Sequence, residues 1–331
     1  MNHNDQKVDV KENALITLDP KLLGLLLQDK TTRQNIIWAT DDYLSLGQDY
    51  AADRHITVEA ITGTNGNVIR PRIEKTKDEQ TLRVKSKAEV FTPSWVCNRQ
   101  NNLVDAAWFG REGVFNTEID SGWITTTEKI TFPEGKTWQD YVKANRLEIS
   151  CGEAPYLVSR YDTVSGEPIP VERRIGLLDR KLRVVCENCD SEQEWVEWAK
   201  KAFQSIYGYE WQGDNVLLAR ENLLYTFSDY YFFKFSVPAL KAHLFIIANI
   251  IAWNIWQMDG IKFVIPNSCK AEVDEKKDLL EEIHISIIPC PGCASGNHSL
   301  HNGIYAKTYD WSGKNSIVFR SFIDPKFRRK K

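Results

Sequence analysis

Apolar and polar positions alternate differently on the two sides of residue 146. On the amino-terminal side the pattern is mixed. The run "LDPKLLGLLLQD" predicts a short helix, with Asp19 as N-cap and Pro20 at the first helical position. The run "ITVEAITGTNGNVIRPRI" alternates and contains Asn65-Gly66, which predicts a two-stranded β-ribbon. A charged stretch, "EKTKDEQTLRVKSK", leads to "AEVFTPSWV", and an irregular, Trp-bearing region follows to about Trp138.

From Arg146 the periods of strand and helix alternate. "RLEIS" reads as a short strand, followed by a small-residue turn, "CGEAPYL", that looks like a ligand loop opening a helix. "SEQEWVEWAKKAFQSIYG" is a helix with a capping-box pattern at Ser191 and Glu194, and Trp195, Trp198, Ala199, Ala202 and Ile206 fall on one face. "SIYGYE" is the second strand and "NVLLARENLLYTF" the next helix. "VPALKAHLFIIANIIAWNI" is apolar nearly all round, so it is expected to be a buried helix. "GIKFVIP" and "NSIVFRSFI" read as the remaining strands. Strands separated by helices predict an α/β fold with a parallel sheet.

Composition narrows the classes. The chain has 331 residues and a formal net charge of -3. A protein that grips duplex DNA by itself is usually basic, because phosphate neutralisation supplies most of the affinity. This chain is therefore not expected to be a complete DNA binder, although "RVKSK" and the terminal "KFRRKK" are locally basic. The polar start "MNHNDQKVDVKEN" lacks an apolar h-region, and the longest apolar stretch, around Leu244 to Trp256, is interrupted by Asn249 and Asn254. No membrane association and a cytoplasmic location are expected, with the seven Cys as reduced thiols or metal ligands.

Ligands of an open α/β sheet sit beyond the carboxyl ends of its strands. Three strand ends here have chemistry to offer. Glu148 lies within the first strand and Cys151-Gly152 follows it, Glu210 closes the second, and Asp259-Gly260 precedes "IKFVI". A carboxylate at the second strand end can accept hydrogen bonds from two ribose hydroxyls, and an acid at the next can hold an adenine amino group. The ordered set points to an adenosine-containing ligand.

The same residues resemble the amino-terminal half of an adenine-N6 DNA methyltransferase of the restriction-modification type, in its gamma order of motifs. Phe91, Thr92 and Pro93 match the Phe-Thr-Pro segment that closes over the methionine part of S-adenosylmethionine. "LEISCGEAPYL" resembles the family's glycine loop, with Glu148 at its acidic position, Cys151-Gly152 at Cys-Gly and Ala154 at its second Gly. "IYGYEWQGDNVLLARENLL" resembles the strand and helix that place an acid, here Glu210 with Trp211 beside it, on the ribose. "NIWQMDG" resembles the segment that places Asp259 near the cofactor adenine. The resemblance spans 85–266 and implies a Rossmann-like S-adenosylmethionine-dependent methyltransferase core with a partial sheet. It leaves an N-terminal helical and β-ribbon extension (1–84) and a C-terminal segment (267–331) with a Cys/His insertion, a last strand and the basic tail.

Such enzymes also need Asn/Asp-Pro-Pro-Tyr/Phe, whose first residue binds the target amine and whose aromatic stacks on the flipped base. The nearest match is "DPKF", Asp324 to Phe327, which has Lys326 at the second Pro and reads more readily as a turn. The resemblance thus implies a split enzyme. This chain would hold the cofactor, and a second polypeptide would supply the catalytic motif and a target-recognition domain for DNA. A methyltransferase-like scaffold without cofactor is the alternative. A metal-dependent nuclease subunit built on Asp120, Glu134 and Lys136 and a nicotinamide dehydrogenase are the weaker ones, the last lacking its GxGxxG spacing.

A separate cluster lies in "PCPGCASGNHSLHNG". Cys290 and Cys293 form a CxxC, and Cys269 stands upstream. With His301 they make a Cys3His set suited to a closed tetrahedral zinc site, with His298 as the substitute ligand. Cys186 and Cys189 form a second CxxC that could complete an all-thiolate site instead.

Overall fold

Two short helices open the described chain, α1 (Glu12–Leu18) and α2 (Pro20–Leu27). Asp19 caps α2 as its sequence predicts: the carboxylate accepts from the Lys21 N–H at 3.0 Å. Leu22, Leu23, Leu26 and Leu27 share the inward face and are buried. The structure is a computed structural model and describes residues 12–87, 92–277 and 283–324.

The expected β-ribbon does not form. Its residues hold a four-residue helix, α3 (Val58–Ile61), and 3-10 turns at Gly63–Asn65 and Arg72–Glu74. Thr57 starts the helix by accepting from the Ala60 N–H at 3.2 Å. Gly66 sits at φ −66°, whereas a two-residue hairpin turn needs positive φ at the glycine. A capped turn and an alternating strand competed for the same residues, and the cap prevailed.

The charged run forms α4 (Lys77–Lys87), and α5 (Ser94–Phe109) ends on Gly110 in the left-handed C-cap conformation. Phe91 lies outside the described residues. Strands β1 (Asn116–Ile119) and β2 (Gly122–Thr125) form a small antiparallel pair, and α6 (Trp138–Lys143) starts at a capping box between Thr137 and Asp140.

Three parallel strands organise the centre, in the order β3 (Arg146–Ile149), β4 (Ile206–Glu210), β5 (Ile255–Gln257). Helices α7 (Leu177–Asn188) and α8 (Glu192–Gln204) link the first two strands, and α9 (Gly213–Phe235) and α10 (Lys241–Asn254) link the second to the third. Ser191 caps α8, accepting from the Glu194 N–H at 3.3 Å. Ile206, expected on the face of that helix, instead opens β4.

Three expectations for this region need correction. The loop after β3 does not open a helix; turns fill the chain up to Leu177, because Glu148 accepts from the Tyr156 and Leu157 N–H groups and fixes the segment as a turn. "GIKFVIP" is not a strand. The Asp259 carboxylate accepts from the Ile261 and Lys262 N–H groups at 2.9 and 3.0 Å, which folds the chain into a tight loop, and Phe263 takes φ +63°. The third strand is β5, directly after α10, so Asp259 follows a strand instead of preceding one.

The remaining elements are the antiparallel pair β6 (Glu272–Lys277) and β7 (Ile283–Ile288), helix α11 (Pro291–Ser295), and the pair β8 (Lys307–Asp310) and β9 (Asn315–Val318). The expected last strand thus stops at Val318 and joins β8, not the parallel sheet. Phe319 turns inward as a 3-10 turn begins, and its ring lies 5.8 Å from Tyr209 and 5.1 Å from Trp256.

Side-chain alternation gives the sheet two faces. Ile206 and Ile255 join one large core with α2 and α7–α10. Tyr209 and Trp256, register partners in β4 and β5, face the other way and form a second core with Met258, Ile265 and Ala306. Among the described residues, no helix is long and apolar enough to cross a membrane.

Candidate functional site

Beyond the carboxyl ends of β3, β4 and β5 lies a crevice of about 830 Å³. Thr92, Glu148, Cys151, Gly152, Glu210, Trp211 and Asp259 all line it. These are seven of the nine residues singled out from sequence for a cofactor. Pro93 is the N-cap of α5, one residue from the lining, and Phe91 is outside the described residues.

The loop is built from the strands outward. The Cys151 N–H donates to the Tyr209 carbonyl at 2.9 Å, which extends the β3–β4 ladder past the end of β3. Gly208 makes room for Cys151: a Cβ there would stand 3.2 Å from its sulfur. Gly152, at φ +52°, donates its N–H to a Glu210 carboxylate oxygen at 3.0 Å. Ser150 and Ala154 also take positive φ, at +50° and +64°, where a Cβ costs about 1 kcal/mol.

The two glutamates are held differently. Glu210 accepts at its second oxygen from the Trp211 and Gln212 N–H groups, at 2.9 and 3.2 Å. Burial raises its carboxyl above the ordinary value, against the pull of these N–H donors. Glu148 is pushed up further by burial, with the charge of Glu210 adding to it, and its hydrogen bonds to the loop oppose the shift. Asp259 is buried, and its outer oxygen is 3.6 Å from the Lys262 ammonium.

Sequence reasoning missed several lining residues. Gln212 and Asn215 lie at the start of α9, and Ala39 comes from the N-terminal extension. Asn215 is buried, and its side-chain oxygen has no hydrogen-bond partner among the described residues. Gln257 closes β5 and ties the extension to it, accepting from the Ile37 N–H at 2.9 Å and donating to the Ile37 carbonyl at 2.8 Å. Amides have no spacing signature, so nothing in the sequence marked them.

The Cys3His set comes together. Its ligand atoms lie within 4.8 Å of one another, and the sulfurs of Cys269, Cys290 and Cys293 stand 3.6, 3.7 and 3.7 Å from His301 Nδ1. Tetrahedral bonds of about 2.3 Å to sulfur and about 2.1 Å to nitrogen place S and N about 3.6 Å apart. The group could hold a metal ion. Gly292 permits the approach, since a Cβ there would sit 2.5 Å from the His301 backbone N. The Asn302 N–H donates to Cys290 Sγ at 3.3 Å. Burial would raise the Cys290 thiol, but this and neighbouring donors outweigh it and bring it down to about 6. His298 stays outside the set, with its ring 5.7 Å from Phe263.

Cys186 accepts from the Trp195 indole N–H at 3.2 Å, and Cys189 caps α7, so the second CxxC is not part of this cluster. The nuclease pattern does not assemble a metal site among the described residues, and Lys136 is occupied on Trp108, donating to its carbonyl at 2.7 Å. Of "DPKF" only Asp324 is described.

No family model, no curated protein and no solved structure matches the chain.

Proposed function

We propose that this chain is the S-adenosylmethionine-binding part of a site-specific DNA adenine-N6 methyltransferase, with its three parallel strands forming part of a Rossmann-like methyltransferase fold. The supporting observation is the convergence of four motifs, far apart in sequence, on one crevice at the carboxyl ends of the strands. Fold position alone would not favour one ligand; the residue types at each strand end do.

When bound, the cofactor would supply an electrophilic methyl group, and the residues of this chain bind and orient it. Glu210 is placed to accept from the ribose hydroxyls, since each of its oxygens retains a second acceptor direction. Asp259 faces the adenine end and Thr92 the methionine end. The Gly152 backbone lies against open space, which lets a ligand approach. The unpaired Asn215 oxygen offers one more acceptor. None of these groups activates the target amine. In this reading the Asn/Asp-Pro-Pro-aromatic motif and the DNA-reading domain come from a second polypeptide, and the pair works in the cytoplasm. Zinc is the ion proposed for the Cys3His set, because three thiols and an imidazole at tetrahedral spacing match its preference.

Calorimetry with S-adenosylmethionine tests the reading. The expected result is one-to-one binding, weakened by about tenfold or more in Glu210→Ala, as for the loss of a charge-assisted hydrogen bond. A correctly folded chain that gives no heat would leave the scaffold reading in its place.

A further inference from the structure

A second pocket, of about 440 Å³, lies away from the crevice and shares no lining residue with it. The turn after α2, the end of α10 and the β8–β9 hairpin enclose it. That places it beside the start of β5, whereas the crevice lies beyond the strand's other end.

Its charge is one-sided. Lys30, Arg33, Lys307 and Lys314 all line it, and among the described residues none of the four forms an ion pair. The nearest carboxylates in sequence are engaged in their own turns. Asp29 accepts from the Thr32 N–H and hydroxyl at 2.8 and 2.7 Å, and Asp310 from the Ser312 N–H at 3.0 Å. The Lys30 ammonium is half-buried and donates only to neutral amide oxygens, Gln28 Oε1 at 2.6 Å and Asn249 Oδ1 at 3.0 Å. Burial, with Arg220 nearby, brings its amine down to about 8. A half-buried ammonium without a counter-charge is a costly arrangement that an anion would relieve.

Two further features mark the pocket. Arg33 and Lys314 hold positive φ, +67° and +53°, a conformation that costs a non-glycine residue about 1 kcal/mol. Backbone strain of this kind gathers at ligand clamps. Trp253 and Tyr309 form an aromatic wall, with rings 5.1 Å apart, and Trp311 extends it at 4.6 Å from Tyr309.

We propose that this pocket binds a nucleotide unit, its phosphate among Lys30, Arg33, Lys307 and Lys314 and its base against Tyr309 and Trp253. Unpaired cations beside stacking rings are the combination that recognises a nucleotide without reading its sequence. The unit can come from a free nucleotide or from a nucleic-acid strand, and both present the same chemistry. The inference does not rest on the crevice or on its cofactor.

The full chain is titrated at low salt with three probes: inorganic phosphate, cytidine monophosphate and a single-stranded pyrimidine oligonucleotide. Pyrimidines are chosen because the crevice is read as an adenosine site. Each probe is repeated on Lys307→Gln/Lys314→Gln and on Tyr309→Leu, with melting temperature as the fold control. The charge variant is expected to weaken binding by about tenfold or more, and to lower the oligonucleotide's salt slope by about two, one per lost phosphate contact. Tyr309→Leu is expected to weaken the nucleotide and leave phosphate unchanged. Variant-sensitive binding of the monophosphate identifies a free nucleotide as a source. Variant-sensitive binding of the oligonucleotide alone identifies a strand. Binding that both variants leave unchanged, or no binding by any probe at millimolar concentration, overturns the proposal.

Discussion

At the scale of single residues, the loop after β3 shows how much backbone strain a ligand site tolerates. The sequence offers one glycine where related loops use two, and Gly152 is indeed left-handed. Ala154 is left-handed too, and Ser150 with it, which the sequence could not show, because about 1 kcal/mol of strain leaves no mark on residue choice. Gly152→Ala separates folding from binding. Nothing lies within 4 Å of the added Cβ, so stability should fall only by the strain of about 1 kcal/mol. The methyl group would stand where the proposed ligand approaches, so calorimetry should show S-adenosylmethionine affinity falling by about tenfold or more. Ser150→Gly is the control: it is exposed, its melting temperature should not fall, and binding should be kept.

At the scale of elements, long helices were legible and short strands were not. Helices α8 and α10 declare themselves by period and caps over more than ten residues. Strand β5 has three residues and continues straight from α10, so the apolar run around Trp256 gave no boundary. The carboxylates that set the turns, Glu148 and Asp259, act through backbone hydrogen bonds that no hydrophobic pattern reports. Another acid fixes α4 and the N-terminal extension against α9. Asp214, in the first turn of α9, accepts from the Tyr43 hydroxyl at 2.7 Å and pairs with Arg83 at 2.9 Å and Lys75 at 3.2 Å. Burial alone would raise its carboxyl, but the two cations outweigh burial and hold it well below the usual range. A depressed carboxyl contributes stability above its unfolded value of about 3.9 and loses that contribution as pH falls through the folded value. Asp214→Asn would leave both cations buried without a counter-charge, at a cost of about 3–5 kcal/mol. Denaturant melts at pH 7 should show that loss, and the gap between native and variant should close as the pH falls below about 4.

At the scale of the whole molecule, the Cys3His cluster and the crevice are joined through one loop. The Asp259 N–H donates to the Val264 carbonyl at 2.8 Å, and Val264 forms a β-bridge with Tyr305. The Ile265 N–H donates to the Ile304 carbonyl at 2.8 Å, and the Ala306 N–H to the Phe263 carbonyl at 3.0 Å. Cys269 lies just past Ile265, and His301 just before Ile304, so a metal bound to both would fix the ends of this lattice. The same segment supplies Ile265 and Ala306 to the core over Tyr209 and Trp256. Metal removal is therefore expected to loosen more than a surface insertion. A chelator, or Cys290→Ser, should remove one equivalent of zinc by metal analysis, expose Trp256 with a red shift in fluorescence, and weaken S-adenosylmethionine binding through the Asp259 loop. Helical circular dichroism should persist, because α7–α10 share the other core. If zinc leaves and cofactor affinity is unchanged, the cluster and the crevice are independent units that merely share a chain. If both fall together, the coupling path runs through the six residues from Asp259 to Val264 that the sequence alone had read as part of a strand.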